Sequence, residues 1–140
     1  MTTARQIPQA RPAAAVNEKR IAALRKTISA VDLDLATRTA DLAETDNALA
    51  AITKDEAAIK QRYARHAAID RARAENRNYA GRHTATLTNE AERQIDIDAQ
   101  AVAKDRARAE AQFRTIAADI AKLTAKKASA EEELRQELGR

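Results

Sequence analysis

Large apolar side chains recur along the first half of the chain at intervals that alternate between three and four residues. Fourteen positions follow this spacing from Ile21 to His66, and ten of them are large and apolar. Such spacing places side chains on one stripe of an α-helix, as in the seam of a coiled coil. The apolar members of this first seam are Ile21, Leu24, Ile28, Val31, Leu35, Leu42, Leu49, Ile52, Ile59 and Tyr63.

A second seam with the same spacing occupies the second half of the chain. Counting in sevens from Tyr63 reaches Thr84, one residue short of Ala85, where the second seam begins. The two seams therefore belong to two helices rather than to one continuous helix. The large apolar members of the second seam are Ile95, Val102, Phe113, Ile116, Ile120, Leu123 and Leu134.

The composition changes where the phase breaks. Asn76, Asn78 and Gly81 lie there, and these residue types favour helix ends and turns. The sequence predicts a long helix 1 over residues 17–78, a turn over 79–87 and a long helix 2 over 88–138. Residues 1–16 are predicted to form an extended basic N-terminal arm. The fold class is then all-α, a single domain built as a long antiparallel two-helix coiled-coil hairpin.

Blocks of charge favour the antiparallel arrangement. Residues 28–59 hold seven acidic and two basic side chains, whereas residues 101–128 hold seven basic and three acidic ones. Folding the chain so that paired residue numbers sum to about 163 brings these blocks together. Charges that flank a seam select the partner and orientation of a coiled coil. An antiparallel dimer of straight helices is the rival arrangement.

The same fold places polar seam residues opposite each other. Glu56 and Arg106 are expected either to approach one another or to extend to solvent separately. Arg38 and Lys127 are expected to crowd one another, so their layer should be hydrated or should bind something else.

The amino-acid composition supports this fold class. Alanine occupies 36 of 140 positions, and Gly and Pro together occupy only four. Leu, Ile, Val and Phe total 23 residues, which is enough for narrow helix seams and too few for a thick core. We therefore expect an elongated protein that forms a homo-oligomer, such as a four-helix bundle of two hairpins, or packs into a larger assembly.

Residue constellations for catalysis or metal binding are missing from the sequence. The chain has no cysteine and only two histidines, neither of them in a zinc-binding spacing. We expect no enzymatic activity, no catalytic residues, no metal, no cofactor and no small-molecule substrate. No stretch resembles a secretion signal or a membrane span, so we expect a cytoplasmic location or one within a particle such as a virion.

An Arg-rich segment near the predicted turn is the first candidate contact region for nucleic acid or a protein partner. Several of its arginines fall on one side of a helix and could bind phosphates. The alternative interpretation is that they pair with Glu90, Glu92, Asp96 and Asp98 across the hairpin. The candidate residues are Arg62, Arg65, Arg73, Arg77, Tyr79 and Arg82.

The N-terminal arm is the second candidate, as a docking segment. Two prolines favour an extended conformation before helix 1, and two arginines add positive charge. The candidate docking residues are Arg5, Ile7, Pro8, Arg11 and Pro12.

In composition the chain resembles many small bacteriophage structural or assembly proteins and other prokaryotic coiled-coil adaptors. The resemblance involves no specific motif and assigns no residue a role. The first functional hypothesis is a non-enzymatic structural or assembly protein, a coiled-coil strut or oligomerisation element of a larger complex. The alternatives are a nucleic-acid-binding helical module that uses the Arg-rich segment, with nucleic acid the less favoured partner, and a small helical inhibitor or adaptor.

Overall fold

The protein is an all-α hairpin of two long helices packed against each other, as the sequence predicts. The computed structural model describes the backbone of residues 2–75 and 82–139, and the side chains of residues 16–75 and 89–139. Helix α1 spans Thr2–Glu75 and helix α2 spans Arg82–Leu138. The near absence of Gly and Pro allows helices of 74 and 57 residues.

The helix bounds differ from the predicted ones at two places. α1 begins at Thr2, so residues 2–16, predicted to be an extended arm, are helical. Alanines around Pro8 and Pro12 favour helix, against the cost of an interior proline, which has no N–H to donate within the helix. α2 begins at Arg82 rather than at residue 88, so residues 82–87 of the predicted turn are helical. The predicted end of helix 1 at residue 78 lies outside the described residues.

The chain divides into two compact units, each containing part of both helices. Unit 1 comprises Met1–Leu42 and Thr115–Arg140, and unit 2 comprises Ala43–Arg114. Among the described side chains of unit 1, Val31 is the most buried, with 2% of its surface exposed. In unit 2, Ile95 and Ala109 are each 6% exposed. Each unit thus has its own narrow core between α1 and α2.

The seams predicted from the sequence are the buried stripes of both helices. From Ile21 to His66, every first-seam position except Arg38 is buried or half-buried. From Ile95 to Glu137, every second-seam position is buried or half-buried, whereas Glu92, the predicted seam position before Ile95, is exposed. Most other positions are exposed, so burial is concentrated on these stripes, as expected for coiled-coil packing.

The charged contacts between the helices lie at or a few residues below the expected register. In unit 1, Arg20 pairs with Glu137 and Arg38 with Asp119, and both pairs of residue numbers sum to 157. In unit 2, Tyr63 contacts Asp96, a sum of 159, and Glu56 contacts Arg106, a sum of 162, where about 163 was expected.

Candidate functional site

The polar layer around Arg106 lies in the seam of unit 2. The Arg106 Nε donates a hydrogen bond to Glu56 Oε1 at 2.8 Å, and Arg106 Nη2 also contacts this oxygen. Nη2 donates in addition to Thr53 Oγ1 at 2.9 Å, and Nη1 donates to Glu110 Oε1 at 3.3 Å. The predicted approach of Glu56 and Arg106 is confirmed. Their guanidinium and carboxylate are bonded to each other rather than extended separately to solvent.

Hydrogen bonds and charges shift the pKa values of this layer in opposite directions. The hydrogen bond from Arg106 lowers the pKa of Glu56, against an opposing effect of desolvation. The hydrogen bonds to Glu56 and Glu110 raise the pKa of Arg106. Both shifts favour the charged forms, so the layer is an ion pair at neutral pH.

Arg38 and Lys127 do not crowd each other, and the expectation that they would is wrong. Lys127 Nζ lies 2.7 Å from Asp32 Oδ1, and this hydrogen bond raises the pKa of Lys127. Arg38 lies 3.3 Å from Asp41 and 3.7 Å from Asp119. Each cation is paired with carboxylates that flank the seam.

A groove of about 560 Å³ opens beside Arg38 in unit 1. Its lining mixes carboxylates and cations, so no single ligand charge is favoured there. The lining residues are Asp34, Thr37, Arg38, Asp41, Asp119, Lys122 and Leu123.

The Arg-rich segment is partly engaged with α2. Arg62 Nη1 donates to Asp98 Oδ2 at 2.6 Å, which lowers the pKa of Asp98. The neighbouring Tyr63 hydroxyl donates to Asp96 Oδ1 at 2.5 Å, and this bond raises the pKa of Tyr63. These contacts agree with the interpretation that the segment pairs with acidic residues of α2. Arg65, in contrast, is exposed and forms no ion pair with the residues whose side chains are described.

His66 occupies the last layer of the first seam in unit 2. Its Nε2 is shielded from solvent and lies 3.4 Å from Asp70 Oδ2 and 4.0 Å from Glu92 Oε2. This Nε2 atom forms no hydrogen bond within the described part of the chain. An open cleft of about 340 Å³ adjoins it, lined by Arg62, Arg65, His66, Ile69, Ala91, Gln94 and Ile95.

Several predicted contact residues lie outside the described residues. Arg77 and Tyr79 fall within 76–81, and the side chain of Arg82 is also outside the described range. Arg73 is half-buried and has an interaction partner. The candidate docking residues of the arm, Arg5, Ile7, Pro8, Arg11 and Pro12, lie among the residues whose side chains are not described.

Sequence reasoning missed the polar residues that complete each charged layer. Thr53 and Glu110 bind Arg106, Asp32 binds Lys127, and each of these three directly follows a seam position. The signal was a hydrogen-bonding side chain next to a seam position near a charged layer.

Among the residues that the structure describes, no group of three or more His, Cys, Asp or Glu side chains is arranged to hold a metal ion. Within the same residues, neither helix contains a segment that is long and apolar enough to cross a membrane.

Comparison of the chain with protein-family models finds no match, and comparisons with curated proteins and with solved structures find none either.

Proposed function

We propose that this protein is a non-enzymatic structural or assembly protein, in which the helical hairpin serves as a coiled-coil strut or oligomerisation element. The observation that carries the proposal is that each helix buries one narrow stripe, while its remaining described faces are exposed. Several charged pairs near the seams connect α1 with α2, as Glu56 and Arg106 do. Side chains used in this way position helices and do not converge on a substrate.

Narrow cores favour association with further copies or with other proteins. The buried hydrophobic residues, among those described, are Val31, Ile95, Ala109 and Ala130, and two of these are alanines. Packing between two helices alone buries one stripe of each, so additional helices would add burial that the hairpin lacks. The proposed setting is a homo-oligomer or a larger assembly, in the cytoplasm or within a particle such as a bacteriophage virion.

The test is the mass of the purified chain in solution. Sedimentation equilibrium over a wide concentration range is expected to give a mass of two or more chains. The helicity measured by circular dichroism is expected to stay constant when larger oligomers are diluted to dimers. A chain that is monomeric and fully helical at every concentration would overturn the proposal that the hairpin is an oligomerisation element.

Nucleic-acid binding is the rival function, and the same preparation tests it. The pairing of Arg62 with Asp98 counts against it, because a cation bonded to a carboxylate is less available to phosphate. Fluorescence anisotropy with DNA and RNA at low salt is expected to show no binding. Binding that weakens steeply as salt rises would support the rival, since release of counterions gives that dependence.

A further inference from the structure

Two-helix coiled coils can shift by one heptad and still keep apolar side chains in contact, so something must select one register. In the register shift considered below, each α1 residue faces the α2 position seven residues later than in the structure.

We propose that the Glu56–Arg106 pair determines the register of the hairpin. In the shifted register, Glu56 would face Phe113 and Arg106 would face Tyr63. The bonds from Arg106 to Glu56 and Thr53 cross from α2 to α1 and exist in one register only, whereas the bond to Glu110 lies within α2. In the shifted register Glu56 and Arg106 would lose their hydrogen bonds to each other, and each charge would lie beside an aromatic side chain with no opposite charge across the seam.

Arg38 adds repulsion against the same shift within unit 1. It lies 3.7 Å from Asp119 in the structure, and the position seven residues later is Lys126. The attractive pair and the repulsive one thus disfavour the same alternative. Arg62 provides no such selection, because the residue seven positions after its partner Asp98 is Asp105. The inference goes beyond a structural role and does not depend on what the hairpin assembles with.

The experiment exploits the absence of cysteine from the chain. Tyr63→Cys with Asp96→Cys reports the observed register when the two thiols react with a short bis-maleimide linker. Tyr63→Cys with Ala103→Cys reports the shifted register, since seven residues displace a helix by about 10 Å. Each pair is introduced into the parent chain, into a chain with Glu56→Leu and Arg106→Leu, and into a control with Arg62→Ala and Asp98→Ala.

In the parent chain and in the control, we expect cross-linking within one chain for the 63/96 pair alone. In the double-leucine chain, cross-linking of the 63/103 pair is expected to rise by about tenfold or more, with helicity retained. An additional variant, Glu56→Arg with Arg106→Glu, is expected to restore the parent pattern.

Two results would overturn the proposal. One is a double-leucine chain that cross-links like the parent chain. The other is a double-leucine chain that loses its helicity, since the proposal requires that an apolar layer packs at least as well as the ion pair.

Discussion

Ile95 and Ile97 lie two residues apart on α2, yet Ile95 is 6% exposed and Ile97 is 53% exposed. Two residues on a helix are separated by about 200° around its axis, so only one of the pair can face α1. This contrast gives the sharpest test of the second seam.

Substituting Ile95→Ala is expected to lower the free energy of unfolding by about 2 to 4 kcal/mol, because it removes buried methyl groups and leaves a cavity. The matched substitution Ile97→Ala is expected to change it by no more than about 0.5 kcal/mol. Urea unfolding followed by circular dichroism measures both. Equal losses for the two variants would show that the helix is rotated relative to the structure.

The hairpin should lose stability in acid. The pKa values of Glu56 and Asp98 lie below their ordinary values because Arg106 and Arg62 donate hydrogen bonds to them. A folded-state pKa below the unfolded one stabilises the fold above the unfolded pKa, and this stabilisation disappears as the pH falls through the folded pKa.

We therefore expect the thermal midpoint to fall as the pH decreases below about 4.5, the ordinary pKa of glutamate. Glu56→Gln removes one of the two groups, so the variant should start from a lower midpoint and depend less steeply on pH. A midpoint that stays constant down to about pH 3 would contradict the ion pairs.

Tyr63 should ionise at higher pH than a free tyrosine, because its hydroxyl donates to Asp96 and lies near that negative charge. The measurement is the phenolate absorbance during an alkaline titration of a Tyr79→Phe chain, in which Tyr63 is the remaining tyrosine. The midpoint is expected above 10.0, and Asp96→Asn should move it back toward that value. An unchanged midpoint in the asparagine variant would place the hydroxyl elsewhere.

Charge reversal at two neighbouring arginines of the Arg-rich segment should change the thermal midpoint by different amounts. Arg62→Glu places a carboxylate against Asp98, so the thermal midpoint should fall by several degrees. Arg65→Glu, at an exposed position with no ion pair to the described side chains, should change the midpoint by about one degree or less. Similar losses for both would mean that Arg65 also contacts α2.

Local patterns in the sequence predicted the seams correctly, because a heptad repeat depends only on the spacing of residues along one helix. Ile95 and Leu134 could be assigned to the buried stripe without knowing what covers them. The ion pair between Glu56 and Arg106 was also accessible, since both are polar residues at seam positions.

The partners of Arg38 and Lys127 were less accessible, because long charged side chains reach carboxylates beside the seam and the heptad spacing does not specify which ones. The two cations were expected to crowd each other, and they pair with Asp119 and Asp32 instead.

The concentration of burial on two narrow stripes has a consequence for how the protein can diverge. Substitutions at the outward positions of α1 and α2 encounter solvent rather than neighbouring side chains, so most of the sequence can drift without altering the fold. Lineages could exchange one binding partner for another through such substitutions while retaining the same hairpin. Homologues should then share the spacing of their seams long after their remaining residues have ceased to align.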